Sequence, residues 1–125
     1  MKMISTKLHS IIDYSTSIFF IVMPWIVGFN EVAAATWVLI AVGAMSITMS
    51  LFTDYEGGMV RSLPMHVHLN VDVVTGLLLA ASPWILGFAD QVYLPHVILG
   101  LFETTAGLLT SRSSHETQES PLERS

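Results

Sequence analysis

Apolar residues in this chain do not alternate with polar ones; they gather in four blocks separated by short polar breaks. The blocks run from about Leu8 to Phe29, about Ala33 to Phe52, about Leu69 to Phe88 and about Tyr93 to Leu109. At 1.5 Å per residue, a helix over each block covers roughly 25–33 Å, which matches a hydrocarbon core. Lipid admits only helices or closed barrels, and strand-like alternation is missing. The pattern therefore predicts an all-α membrane protein of four transmembrane helices. The breaks Asn30-Glu31-Val32 and Ala89-Asp90-Gln91-Val92 are short enough to make helices one and two, and three and four, antiparallel neighbours. Asn30 and Asp90 are the expected N-caps of the helices that follow them. Between the halves lies a longer polar segment, Thr53 to Leu69, where Ser62 is the expected N-cap and Pro64 falls in the first turn of helix three.

The polar and aromatic marks inside these blocks recur. His9-xxx-Asp13 and Pro24-Trp25-Ile26-Val27-Gly28-Phe29 return as His68-xxx-Asp72 and Pro83-Trp84-Ile85-Leu86-Gly87-Phe88, with the same internal spacing. An internal repeat of this kind predicts a duplicated two-helix unit. The expected division is residues 1–52 for the first unit, 53–68 for the linker and the start of helix three, 69–110 for the second unit, and 111–125 for a disordered tail. Each unit has an even number of helices, so the two should share one orientation, related by a pseudo-two-fold along the membrane normal.

Composition sharpens the membrane reading. Charged residues make up 12% of the 125, against roughly 25% in a soluble domain. Lys2, Lys7, Arg61, Arg112 and Arg124 all avoid the two short breaks. The positive-inside rule then puts both termini and the central segment on the cytoplasmic side of the cell membrane. Lys2 and Lys7 before an apolar run, with Ala33-Ala34-Ala35 beyond it, have the outline of a signal peptide. Asp13 within the run, and the twin of this segment later in the chain, argue that it is retained. The net charge of −5 owes much to the tail, and no basic cluster suggests nucleic acid. With no cysteine there is no disulfide, thiolate metal site or thiol nucleophile.

The Ser82-Pro83-Trp84 tripeptide, its partner Met23-Pro24-Trp25 and the two His-xxx-Asp pairs together make the chain resemble the SPW repeat family over about residues 8–110. That resemblance implies a small integral membrane protein and assigns no reaction. The residues themselves give the motif a mechanical account. Pro24 and Pro83 cannot donate to the carbonyls of Phe20 and Leu79, so each helix bends near its end. Trp25 and Trp84 suit headgroup depth, while Gly28 and Gly87 suit the left-handed position of a Schellman-type cap, with Phe29 and Phe88 folding back.

Candidate chemistry is confined to a few residues. His9 and Asp13 share a helical face, as do His68 and Asp72. Such pairs serve either as polar glue or as intramembrane carboxylates for proton or ion handling. If helices one and three face each other, all four converge into a set acceptable to zinc or non-haem iron, and the paired histidines to haem. Glu103, near the middle of helix four and aligned with Ala44, must face the bundle or a subunit contact; Ser46, Thr48 and Ser50 are its candidate partners. His66 and His96 have no twins and read as interfacial. No nucleotide, nucleophile-elbow or zincin motif is present, so no cofactor is expected and an enzyme is not favoured. The chain reads as a structural or accessory component of the bilayer that forms homo-oligomers or joins a larger complex; a small transporter or metal/haem protein built on the His/Asp pairs is the alternative.

Overall fold

In the computed structural model, which describes residues 3–110, the chain folds into four α-helices, and no strand is formed among the described residues. These are α1 (Thr6–Val27), α2 (Ala33–Phe52), α3 (Met65–Ile85) and α4 (Leu94–Leu109). The first three, of 22, 20 and 21 residues, are long and apolar enough to cross a membrane. The fourth is apolar but has only 16 residues, about 24 Å at 1.5 Å per residue. Its start is set by Pro95, which fits only the first turn of a helix. The tail from residue 111 lies outside the described residues.

The helices pair in chain order, α1 on α2 and α3 on α4, with lighter contact between α2 and α3. Small residues permit the close approaches. A Cβ on Gly100 would lie 2.5 Å from both Ala80 N and Gly76 O, so α3 and α4 touch backbone to backbone. Gly43 stands in the same relation to α1, where a Cβ would lie 2.8 Å from Ser17 O. Glycine at such points lets helices pack where lipid supplies no hydrophobic drive. The apolar core sits toward one end of the bundle, around Phe20, Leu39, Leu79, Phe29 and Phe88.

Several helix ends depart from expectation. The residue flanking α2 is Val32 and that flanking α4 is Tyr93, neither with a side-chain cap. Asn30 and Asp90 are exposed and are not caps, because Phe29 and Phe88 extend the preceding helix closure and their carbonyls accept from Val32 N–H (2.9 Å) and Gln91 N–H (2.9 Å). Ser62 is likewise not the cap of α3. Pro64 flanks that helix, and the Ser62 hydroxyl bonds back to the Phe52 carbonyl at 3.5 Å. The central segment is not a loose linker. Its Glu56 accepts from the Thr6 hydroxyl at 2.8 and 3.0 Å, and its Gly57 carbonyl from the Tyr14 hydroxyl at 2.7 Å. These bonds hold residues 54–57 down over the start of α1.

Candidate functional site

Pro24 and Pro83 do lie inside their helices, and both helices close as the sequence suggests. Gly28 and Gly87 take left-handed conformations with φ of 94° and 78°. Phe29 N–H donates to Pro24 O at 2.9 Å and Phe88 N–H to Pro83 O at 2.8 Å, the long bond of a Schellman closure. Trp25 and Trp84 are 56% and 60% exposed, so their indoles point away from the bundle. Phe29 and Phe88 turn inward instead. Between them sits His96 in the first turn of α4, fully buried within the bundle; its ring is 5.5 and 4.8 Å from theirs, and its Nε2–H donates to the Ala35 carbonyl at 2.9 Å. His66 is exposed.

Ser82 has a specific task here. Pro83 leaves the Leu79 carbonyl without its helical donor, and the Ser82 hydroxyl donates to that carbonyl at 2.6 Å. In the first copy Met23 has no hydroxyl to do this. Ser82→Ala should therefore destabilise the protein by about 1 kcal/mol and Pro83→Ala should cancel that cost, because alanine restores the backbone N–H. A double-mutant cycle read by denaturant titration in detergent checks this; equal costs in both backgrounds would refute it.

At the opposite end of the bundle α1 and α3 bring together His9, Asp13, His68 and Asp72, all buried. The i, i+4 spacing puts each pair on one face, and the two faces meet. His9 Nε2 lies 3.1 Å from Asp13 Oδ1 and 2.9 Å from Asp72 Oδ2. His68 Nε2 lies 3.0 Å from Asp13 Oδ2 and 3.3 Å from Asp72 Oδ2. The imidazole rings stand edge to face at 83°, with centroids 5.6 Å apart. One ligand atom from each of the four residues falls within 4.8 Å of all the others.

Three residues that sequence reasoning passed over complete the cluster. His9 Nδ1 is 2.7 Å from Thr110 Oγ1, and His68 Nδ1 is 2.6 Å from Thr53 Oγ1. Each threonine donates its own hydroxyl hydrogen to the carbonyl one turn back, Thr110 to Ala106 at 2.5 Å and Thr53 to Met49 at 2.6 Å. Their oxygens can then only accept, which fixes a hydrogen on Nδ1 of both histidines and leaves both Nε2 atoms facing the carboxylates. Tyr55, from the central segment, covers the site and donates to Asp13 Oδ2 at 2.8 Å. Burial and the adjacent Asp13 carboxylate raise its phenol well above the ordinary range, so Tyr55 remains a neutral donor. A signal for the threonines exists in the sequence: Thr53 and Thr110 each follow the last residue of an apolar helix.

Glu103 borders the cluster. It lines a cavity of about 10 Å³ together with His9, Asp13, Asp72 and Ser46, a space on the order of one water. Its Oε2 is buried without a protein partner. Ser46 of the three expected partners shares this cavity, whereas Thr48 is exposed and bonds its own helix. The arrangement offers three kinds of chemistry: a polar brace between helices, a binding site for a divalent cation, and a short route for a proton between Glu103 and the carboxylates.

No curated protein and no solved structure matches this chain. The SPW repeat domain matches residues 7–110, which takes in both Pro-Trp closures and all four cluster residues. On that match, the chain belongs to the SPW repeat family.

Proposed function

We propose that the protein is a multi-pass membrane component with a structural or accessory role, and that its His/Asp cluster closes the bundle. In this reading all four helices cross the cell membrane. The two hairpins, divided at 1–52 and 69–110 with 53–68 between them, are copies related by a pseudo-two-fold along the membrane normal. The exchange of partners supports this: His9 bonds Thr110, which closes α4, and His68 bonds Thr53, which closes α2. Gly43 meets Ser17 as Gly100 meets Gly76, which supports a register of 57 residues between α2 and α4, with Ser46 as the counterpart of Glu103 in place of Ala44. The basic residues favour cytoplasmic termini, with the cluster on that side.

The observation that carries the reading is the closure of the cluster. Its four side chains are turned inward, and the space beside them is about 10 Å³, too small for a substrate or a haem. The groove of about 390 Å³ between α2 and α3 has an apolar lining that includes Val38, Met45, Leu78 and Ile85, and suits acyl chains. Self-association, or a seat in a larger complex, is the role left to such an outer surface.

The buried Oε2 of Glu103 favours one competing reading, in which a proton passes from Glu103 to the carboxylates. Reconstitution of the full chain into vesicles loaded with a pH-sensitive dye separates the two. The expected result is a proton leak equal to that of protein-free vesicles, unchanged by Glu103→Gln. A leak that appears with the protein and disappears with Glu103→Gln would replace the structural reading by proton conduction.

A further inference from the structure

We propose that His9, Asp13, His68 and Asp72 form a closed four-ligand site for a divalent cation of the zinc class, bound through both imidazole Nε2 atoms and one oxygen of each carboxylate. The donor set comes first. Two imidazoles with two carboxylates suit zinc or ferrous iron, whereas calcium and magnesium ask for six or more oxygens. A tetrahedral ion with bonds of about 2.0–2.1 Å needs ligand atoms roughly 3.3 Å apart. The Nε2-to-oxygen separations of 2.9 to 3.3 Å are shared among Asp72 Oδ2 and both oxygens of Asp13, and one ligand atom from each residue lies within 4.8 Å of the others, so the set contracts around a bound ion.

Orientation is the second argument. A histidine bound to a metal through one ring nitrogen almost always donates the other N–H to a fixed acceptor. Thr53 and Thr110 are such acceptors, and because their own hydrogens are spent on Met49 and Ala106 they cannot act otherwise. Both rings are thereby held with Nε2 aimed at one point, where a bound cation would displace the Nε2 hydrogens and take their place between the carboxylates. Tyr55 does the same for Asp13 by bonding one of its carboxylate oxygens.

The third argument is an unmet need within the cluster. His68 Nε2 is fully buried and close to two carboxylate oxygens, yet no hydrogen bond to either is aligned, and Asp72 Oδ1 also has no partner. Once both imidazoles release their Nε2 hydrogens to a metal, the two carboxylates leave a charge of −2, which a single divalent ion cancels. Glu103 of α4 faces the same cavity, and no Lys or Arg lines it. With four protein ligands and no open position, the site is of the structural kind, an ion that ties α1 to α3.

The test uses the tag-free full-length chain in mild detergent, stripped with a chelator, incubated with zinc sulfate, passed through gel filtration and assayed by elemental analysis. We expect about one zinc per chain, and with cobalt(II) the visible absorption of a tetrahedral ion. His9→Gln/His68→Gln should lose the ion. Thr53→Val/Thr110→Val keeps every ligand and should bind zinc 10- to 100-fold more weakly with unchanged helical content, so it carries the test if the histidine variant does not fold. A stripped wild-type chain that elutes as folded and takes up neither zinc, cobalt(II) nor ferrous iron overturns the proposal. So does zinc uptake undiminished in the folded histidine variant or, where that variant fails to fold, in the threonine variant. Preference for ferrous iron over zinc overturns the choice of ion.

Discussion

Replacing His68 with leucine is expected to cost the protein about 3–5 kcal/mol of stability, enough to prevent a monodisperse preparation in mild detergent. A single hydrogen bond between membrane helices is usually worth only about 0.6–2 kcal/mol, so loss of the bonds alone would be tolerable. The larger effect lies in what remains. Without His68, Asp13 and Asp72 face each other with His9 as their only shared imidazole, and both carboxylates are almost wholly buried. The Thr53 oxygen loses its donor as well. Removing one partner of a buried charged set is penalised far more than removing the whole set. Leucine at positions 9, 13, 68 and 72 together should therefore recover much of the lost stability. Unfolding by a graded mixture of denaturing and mild detergent, followed by helical circular dichroism, measures both. A His68→Leu chain that unfolds with the wild type, or a quadruple variant weaker than the single one, would show that the cluster does not brace the bundle.

Gly100→Ala should destabilise the protein by about 1–3 kcal/mol, against the ordinary trend. Alanine in place of a glycine inside a helix normally stabilises by roughly 0.5–1 kcal/mol through backbone entropy. Here the added methyl would stand 2.5 Å from Ala80 N and Gly76 O, which are main-chain atoms of α3 and cannot move aside as a side chain would. The helices must part, and in lipid that forfeits the close packing that holds them together. The same detergent titration reads the sign. A variant as stable as its parent would mean that α3 and α4 do not meet at this point.

Much of this architecture is legible in the residues because it follows from local rules. The apolar blocks give the helices, Pro24 with Gly28 and Pro83 with Gly87 give their closures, and the spacing of His9 with Asp13 gives a shared face. What the residues could not show is which faces meet. The convergence of α1 on α3 depends on tertiary packing, and so do the three auxiliary residues: Tyr55 reaches Asp13 across 42 positions of sequence, and Thr110 reaches His9 across 101. The errors at the helix starts have a shared cause. Asn30 and Asp90 are good caps in isolation, but the turn after each Phe carries the chain past them, and Pro95 then delays α4. The burial of His96 was equally hidden, because nothing nearby in sequence announces the two phenylalanines that enclose it.

The bond between His9 and Thr110 also imposes an order on synthesis. The ribosome makes α1 first, and α1 enters the bilayer carrying His9 and Asp13 while every partner outside its own helix is still unmade. A carboxylate at the membrane centre is disfavoured by about 2.5–3.5 kcal/mol on insertion scales and by less toward a helix end, where Asp13 stands, so the first helix carries a modest insertion cost on its own. The central segment brings Tyr55, α3 brings Asp72 and His68, and only the residue that ends α4 supplies the last acceptor. The last of these contacts therefore forms only after α4 has been made. A nascent chain arrested before Thr110 leaves His9 Nδ1 without the acceptor that orients it.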